Sequence, residues 1–297
     1  MSIADVYARL RALGRDFTPA QMVATREIFA PRVARVDPAR CRVLRDVAYG
    51  ADPRQRLDVF APVEPDAALR PVFVFVHGGG FVQGDKGAPD APFYNNVGAW
   101  AAAQGYVGVT VTYRLAPVHP WPAGSADLEL AVQWLQANIA AQGGDPARII
   151  LCGQSAGAVH VAGYLARHGA EPGTVAQVAA AVLVSGIYDL SLATSNPMHE
   201  AYYGADRGSD ALHATLPALL ATPVPCLYVV CEFDPLEFQR QTARVVEEYV
   251  AVRGEWPYLV YLAGHNHLSS VLQVGSDADR LGPQLVQFID QLPQADP

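Results

Sequence analysis

Short stretches of apolar and β-branched residues recur along the chain and predict strands. Within several of them the apolar residues follow one another without a break, which is typical of strands covered on both faces of a sheet. The sequence VFVFV at residues 72–76 is the clearest case. The predicted strands are residues 42–49, 56–62, 72–76, 106–113, 148–152, 179–185, 226–231 and 258–262.

Helical periodicity fills most of the intervals between these strands. In residues 127–142 the apolar side chains fall on one stripe and the pattern stops at Gly143 and Gly144, a common helix C-terminal signal. Further helices are predicted after Ser155, over residues 238–252 and over residues 283–292. The first 35 or so residues also place apolar positions three and four apart and predict one or two amphipathic helices.

Strands that alternate with helices predict an α/β fold with a mostly parallel central sheet flanked by helices. We expect one domain over residues 1–297, with residues 1–40 forming a small N-terminal helical arm or cap. Residues 186–225 are rich in Ser, Asn, Pro and Asp and are expected to form an irregular insertion near the site. The arm and the insertion together could roof a pocket.

Composition, net charge and cysteine spacing argue against several classes of protein. Hydrophobic residues make up 51% of the 297 positions and charged residues 17%, so the chain has enough apolar surface to fold. The net charge of −8 and the lack of a basic run argue against nucleic acid as a partner, and no apolar stretch is long enough to cross a membrane. The four cysteines show no paired spacing and are expected to be buried free thiols in a cytoplasmic protein. A homodimer is compatible with these features.

The sequence GQSAG at residues 153–157 lies between a predicted strand and a predicted helix. In a nucleophile elbow this turn is so tight that the flanking positions must lack side chains, and the serine hydroxyl projects above the sheet. Ser155 is therefore the candidate nucleophile. The alternative is an ordinary glycine-rich turn in which Ser155 caps the helix.

A second glycine-rich sequence, HGGGF at residues 77–81, follows the strand at 72–76. Successive glycines allow the backbone to approach a substrate and to direct its N–H groups at one point, which suits an oxyanion. A phosphate-binding loop is the alternative, but no Lys-Ser or Lys-Thr pair follows, and Asp85 would repel phosphate. We expect His77 to order the loop.

These motifs, together with YRLAP at residues 113–117, PWPA at residues 120–123 and Asp127, resemble the hormone-sensitive-lipase-like branch of the α/β-hydrolase fold. Val118 and Leu268-Ser269 depart from that branch, and GIYDL at residues 186–190 is similar to kynurenine-formamidase-type relatives and small carboxylesterases. The resemblance implies a serine hydrolase without a cofactor, whose triad follows the order Ser, acid, His. It also implies an oxyanion hole formed by the amides of Gly79, Gly80 and Ala156.

The acid and the base are expected after late strands. Asp234 follows the strand at 226–231 and matches the family sequence D-P-L, with Glu232 as the alternative. The family spacing after Gly264 selects His267 as the base and leaves His265 as the alternative. The two histidines could also belong to a metal site, but the sequence offers no third ligand at a recognisable spacing.

The predicted function is hydrolysis of small or short-chain carboxylic esters through an acyl-enzyme intermediate. Cleavage of an arylformamide such as N-formylkynurenine is the alternative in the same chemical class, with a small-molecule amide in place of an ester. A non-catalytic ligand-binding module on the same scaffold is the alternative from another class. Phe81, Trp121 and Tyr188 are the candidates for the walls of the substrate pocket.

Overall fold

A computed structural model describes residues 1–33, 35–64, 68–169, 176–206 and 213–293. The described strands form one eight-stranded sheet in the order β1-β2-β4-β3-β5-β6-β7-β8. Strand β2 pairs antiparallel with both of its neighbours, and strands β3 to β8 run parallel. The strands are β1 Cys41–Ala48, β2 Arg56–Pro62, β3 Arg70–Val76, β4 Val107–Thr112, β5 Gly144–Gln154, β6 Ala180–Val184, β7 Cys226–Phe233 and β8 Tyr258–Asn266.

Helices cover both faces of the sheet. In chain order they are α1 Ile3–Leu13, α2 Pro19–Phe29, α3 Asn95–Ala103, α4 Ala123–Asn138, α5 Ala156–Gly169, α6 Pro197–Tyr203, α7 Leu216–Ala221, α8 Leu236–Arg253, α9 Ser269–Leu272 and α10 Gly282–Asp290. Short 3-10 turns occur at Ile139–Gln142 and Leu190–Leu192.

The core is divided by the sheet into two layers. Along β3, Val72, Val74 and Val76 pack toward α4, α5 and α7, whereas Phe73 and Phe75 pack toward α1, α2, α3 and α10. This alternation is the period of two that a strand imposes on its side chains. The unbroken apolar run at β3 is therefore explained by two helical layers, one on each face.

The predicted mostly parallel sheet flanked by helices is confirmed, and each predicted strand overlaps an observed one. The sequence did not single out α3, which is only nine residues long and has Gly98 in mid-helix. A Cβ on Gly98 would collide with the ring of Phe60, so this helix needs glycine to lie close to β2. The segment 186–225 also differs from the expectation of irregular chain, because it contains α6 and α7.

Residues 1–33 contain two helices, α1 and α2, where the apolar spacing predicts one or two. Helix α1 packs along β8, and α2 contacts α9. None of the helices in the described ranges is both long and apolar enough to cross a membrane.

Candidate active site

Ser155 occupies a sharp turn between β5 and α5. Its φ angle is +56°, a left-handed conformation that costs about 1–2 kcal/mol for a residue with a side chain. Glycine is required on both sides: a Cβ on Gly153 would collide with the carbonyl of Gly157, and a Cβ on Gly157 would collide with the carbonyl of Val76. The geometry is that of a nucleophile elbow, with a partly exposed serine at its tip.

Asp234 and His267 are joined by a short hydrogen bond at the carboxyl ends of β7 and β8. His267 Nδ1 donates to Asp234 Oδ1 at 2.7 Å, which leaves Nε2 free of a proton when the ring is neutral. Both side chains are buried. The carboxylate therefore holds the imidazole in the tautomer that can accept a proton at Nε2.

The other carboxylate oxygen of Asp234 is also satisfied. Oδ2 accepts from the Ser185 hydroxyl at 2.7 Å and from the Cys231 amide at 2.6 Å. Hydrogen bonds of this kind offset part of the cost of burying a charge. Ser185 was not predicted from the sequence as a site residue, although it directly follows a buried strand, β6, that pairs with β7.

His267 is held from several sides. Its carbonyl oxygen accepts from Gln154 Nε2 at 3.1 Å and from the Ser270 hydroxyl at 2.7 Å. Because Gln154 precedes Ser155, the first of these bonds ties the loop of the histidine to the elbow. Among the described residues Nε2 of His267 has no hydrogen-bond partner, so the ring is not bonded to Ser155 in this structure.

The glycine-rich loop after β3 lies against the elbow. A Cβ on Gly78 would be 3.1 Å from the Cβ of Ser155. Within the described parts of the chain, the N–H groups of Gly79, Gly80 and Ala156 donate to no backbone acceptor outside helices and strands. These three amides are therefore free of such bonds, as donors of an oxyanion hole must be.

His77 orders this loop. Its Nδ1 donates to the Gly78 carbonyl at 2.6 Å, and its Nε2 lies 3.1 Å from the Thr112 hydroxyl. Burial lowers the pKa of His77 to about 4, so the ring is neutral at pH 7. The Tyr113 hydroxyl donates to the carbonyl of His77 at 2.8 Å, which links the YRLAP sequence to the loop.

The alternative acid, Glu232, and the alternative base, His265, make their contacts outside the Asp234–His267 pair. Glu232 accepts from the Gly264 amide at 2.7 Å and lies 3.6 Å from Arg11. His265 is buried with its ring edge-on to Tyr7 at a centroid distance of 5.5 Å, and burial lowers its pKa to about 4. Neither residue contacts the Asp234–His267 pair through a hydrogen bond, and both instead connect β8 to its surroundings.

The three candidate pocket residues have different positions. Phe81 is buried and stacks on Tyr202 at a centroid distance of 4.2 Å, while Trp121 is partly exposed and packs near the same cluster. Tyr188 lies in the core on the α5 side of the sheet, with its ring edge-on to Tyr228. The position of Tyr188 in that core gives no support to a role as a pocket wall.

No group of three or more His, Cys, Asp or Glu side chains in the described ranges is arranged to hold a metal ion.

Comparison with known sequences shows partial matches to esterases. The chain is 38% identical over 113 residues to esterase LipC of Mycobacterium tuberculosis, which is 38% of this chain and 27% of that relative. It is 46% identical over 88 residues to carboxylesterase NlhH of the same organism, 29% of this chain and 26% of the relative. The chain thus matches well under two thirds of the length of these curated relatives.

Comparison with solved structures confirms the α/β-hydrolase fold. Esterase B from Lactobacillus rhamnosis superposes with a TM-score of 0.75 at 18% sequence identity, covering 97% of this chain and 95% of that one. The sequence-family model described as BD-FAE matches residues 57–230 of this chain, from β2 to β7. Because these residues are more than half of the chain, the protein belongs to the BD-FAE family.

Proposed function

We propose that the protein is a serine carboxylic-ester hydrolase that acts on small or short-chain acyl esters. The observation that carries this proposal is the pairing of His267 with Asp234 at 2.7 Å, on a loop that Gln154 ties to the nucleophile elbow of Ser155. The esterase names of the relatives and of the structural neighbours support the proposal. They do not favour the arylformamidase or the non-catalytic alternative.

In the first half of the reaction, Ser155 attacks the ester. His267 Nε2 takes the proton of the Ser155 hydroxyl as Oγ bonds to the carbonyl carbon, and the carbonyl electron pair moves onto its oxygen. The amides of Gly79, Gly80 and Ala156 hold this oxyanion. The bond to the alcohol oxygen then breaks, and the leaving alkoxide takes the proton from Nε2.

In the second half, water replaces the alcohol. His267 Nε2 removes a proton from the water, which adds to the acyl carbon, and the Ser155 oxygen leaves and takes that proton back. Asp234 keeps its negative charge throughout and stabilises the imidazolium that forms in each half. The acid is released and the enzyme is restored.

Hydrolysis of p-nitrophenyl acetate and butyrate by purified protein tests the proposal. We expect turnover by the wild type and a loss of about 10⁶-fold in kcat for Ser155→Ala, because the nucleophile is removed while the oxyanion amides remain. Unchanged turnover by Ser155→Ala would show that another group carries the reaction. Circular dichroism of the variant controls for folding.

The same proposal treats residues 1–297 as one catalytic domain with a small-molecule ester as its substrate. We also propose a cytoplasmic location. All four cysteines are free and buried in the structure, in keeping with a reducing compartment.

A further inference from the structure

We propose that Phe17 and Phe238 form the subsite for the leaving alcohol and that this subsite favours flat, apolar alcohols, such as benzyl alcohol, over polyols. The inference rests on the proposed function and deepens it by naming the substrate class. Neither aromatic residue belongs to a motif that the sequence analysis singled out.

The two phenylalanine rings flank the imidazole of His267. The Phe238 ring lies over it at a centroid distance of 4.3 Å and an angle of 34°, and the Phe17 ring meets it edge-on at 4.8 Å and 78°. His267 itself is only 2% exposed, whereas Phe17 is 43% exposed. A partly exposed aromatic ring, that of Phe17, therefore lies against the imidazole that must protonate the alcohol.

The backbone holds Phe17 in this position. Gly14, with φ +68°, ends α1, and Thr18 begins α2 with a capping box to Gln21. The Gln21 side chain also donates to the carbonyl of Leu13, which joins the two helices across the turn. Phe17 is thus carried on a short connection fixed at both ends. The crevice enclosed between this connection and the loop of His267 measures only about 10 Å³, so the alcohol would pack on the exposed face of Phe17 and not inside the crevice.

The mechanism places the alcohol beside these rings. The leaving oxygen must come within hydrogen-bond distance of His267 Nε2, about 3 Å, to receive its proton. The carbon attached to that oxygen can then reach the edges of rings whose centroids are less than 5 Å from the imidazole centroid. A flat apolar substituent can pack against them, whereas the hydroxyls of a polyol would lose water there without gaining a partner.

The test varies the alcohol while the acyl group stays constant. Benzyl butyrate and 2,3-dihydroxypropyl butyrate form the same butyryl-enzyme, so differences between them belong to acylation. For each ester, kcat/KM of a variant is divided by that of the wild type, which cancels the intrinsic reactivity of the ester. The variants are Phe17→Ala, Phe17→Leu and Phe238→Ala. The control is Trp256→Ala, which removes an exposed aromatic residue just before β8, at the opposite end of that strand from His267.

We expect Phe17→Ala and Phe238→Ala to lower kcat/KM for benzyl butyrate by about 3- to 10-fold more than for the dihydroxypropyl ester, from the loss of aromatic contact. Phe17→Leu should show a smaller difference, and Trp256→Ala none. Deacylation of the isolated butyryl-enzyme should change by less than about twofold in Phe17→Ala, because the alcohol has already left.

Two results would overturn the subsite. Equal losses for both esters, or an equal loss in deacylation, would show that Phe17 only positions His267. A wild type that prefers the dihydroxypropyl ester after correction for the hydroxide-catalysed rates would show that the surface favours polyols. Failure of the proposed function itself looks different: the wild type would hydrolyse neither ester and no butyryl adduct would form on Ser155.

Discussion

A small number of hydrogen bonds stabilises the negative charge of Asp234. Its two carboxylate oxygens accept from the His267 ring, the Ser185 hydroxyl and the Cys231 amide, at distances of 2.6 to 2.7 Å. A hydrogen bond to a charged group contributes about 1.5–3 kcal/mol. Removal of one donor should therefore reduce the stabilisation of the imidazolium by Asp234 enough to lower kcat/KM measurably.

Substitution of Ser185 tests this dependence. Both Ser185→Ala and Ser185→Gly remove the hydroxyl, and we expect each to lower kcat/KM by about 10-fold. The native φ of residue 185 is +50°, so Gly should be more stable than Ala there by about 1 kcal/mol. Urea unfolding and ester hydrolysis measure the two effects. Equal stability of the two variants, or full activity of either, would contradict the account.

Substitution of Asp234 and of Glu232, the two carboxylates near the end of β7, should lower activity to very different extents. Asp234→Asn removes the acceptor that sets the histidine tautomer, and we expect a loss of about 10⁴-fold in kcat. Glu232→Gln keeps an acceptor for the Gly264 amide and should stay within about 10-fold of the wild type. The measurement is turnover of p-nitrophenyl butyrate by both variants. Comparable losses in the two variants would reopen the assignment of the acid.

Sequence reasoning reached individual residues only where a motif marked them. Ser155 and the glycines around it were predicted because a tight turn excludes side chains. Ser185 and Phe17 could not be predicted, since their roles depend on which strand neighbours β7 and on how the α1–α2 connection lies across β8. Such contacts between distant parts of the chain leave no local pattern.

Among the structural elements, the N-terminal pair of helices braces the loop that carries His267. Thr25 on α2 accepts from Asn266 Nδ2 at 2.9 Å, and Tyr7 on α1 packs against Gly264 and His265. Residues 264–267 thus contact both helices of the arm. The arm was predicted from its apolar spacing, whereas its contact with this loop required the structure.

Loss of the contact between α2 and the loop should be measurable. Thr25→Val keeps the side-chain shape but removes the acceptor for the buried Asn266 amide, and we expect unfolding to become easier by about 1–3 kcal/mol. Because Asn266 precedes His267, kcat should fall as well. Chemical denaturation and steady-state hydrolysis are the measurements. Val23→Ala, at an exposed position on the same helix, is the control and should change neither.

The sheet strands were the elements predicted best, because parallel strands between two helical layers need apolar residues on both faces. Helix α3 was not, since it is short, has Gly98 in mid-helix and packs closely on β2 and β4. The apolar stripe that predicts a helix from sequence is a weak signal for a helix that lies this close to a sheet.

On the scale of the whole molecule, buried histidines make stability depend on pH: His77 and His160 both pack on Tyr113, and His265 lies near the N-terminal helices. Burial lowers the pKa of His77 to about 4, of His160 to about 3 and of His265 to about 4, against an ordinary value of 6.5. The unfolded chain therefore binds more protons than the folded protein below about pH 6.5. The contribution of these three histidines to stability is fully present above that pH and is lost as the pH falls toward 4.

We expect this effect to destabilise the protein on mild acidification. Each of the three histidines should reduce the free energy of unfolding by about 1–2 kcal/mol between pH 7.5 and pH 5. Urea unfolding across this range measures the slope. His265→Asn, which removes one titrating ring, should make the slope shallower, whereas a slope unchanged in that variant would show that other groups dominate.

The central claim is that Ser155, His267 and Asp234 act as one unit, and covalent labelling tests it most directly. A fluorophosphonate should modify the wild type at one site, with peptide mass spectrometry locating the adduct on Ser155. His267→Ala should slow labelling by more than about 10³-fold, because Ser155 loses its general base, while His265→Ala should label at close to the wild-type rate. An adduct on another residue, or equal rates in the two histidine variants, would contradict the account.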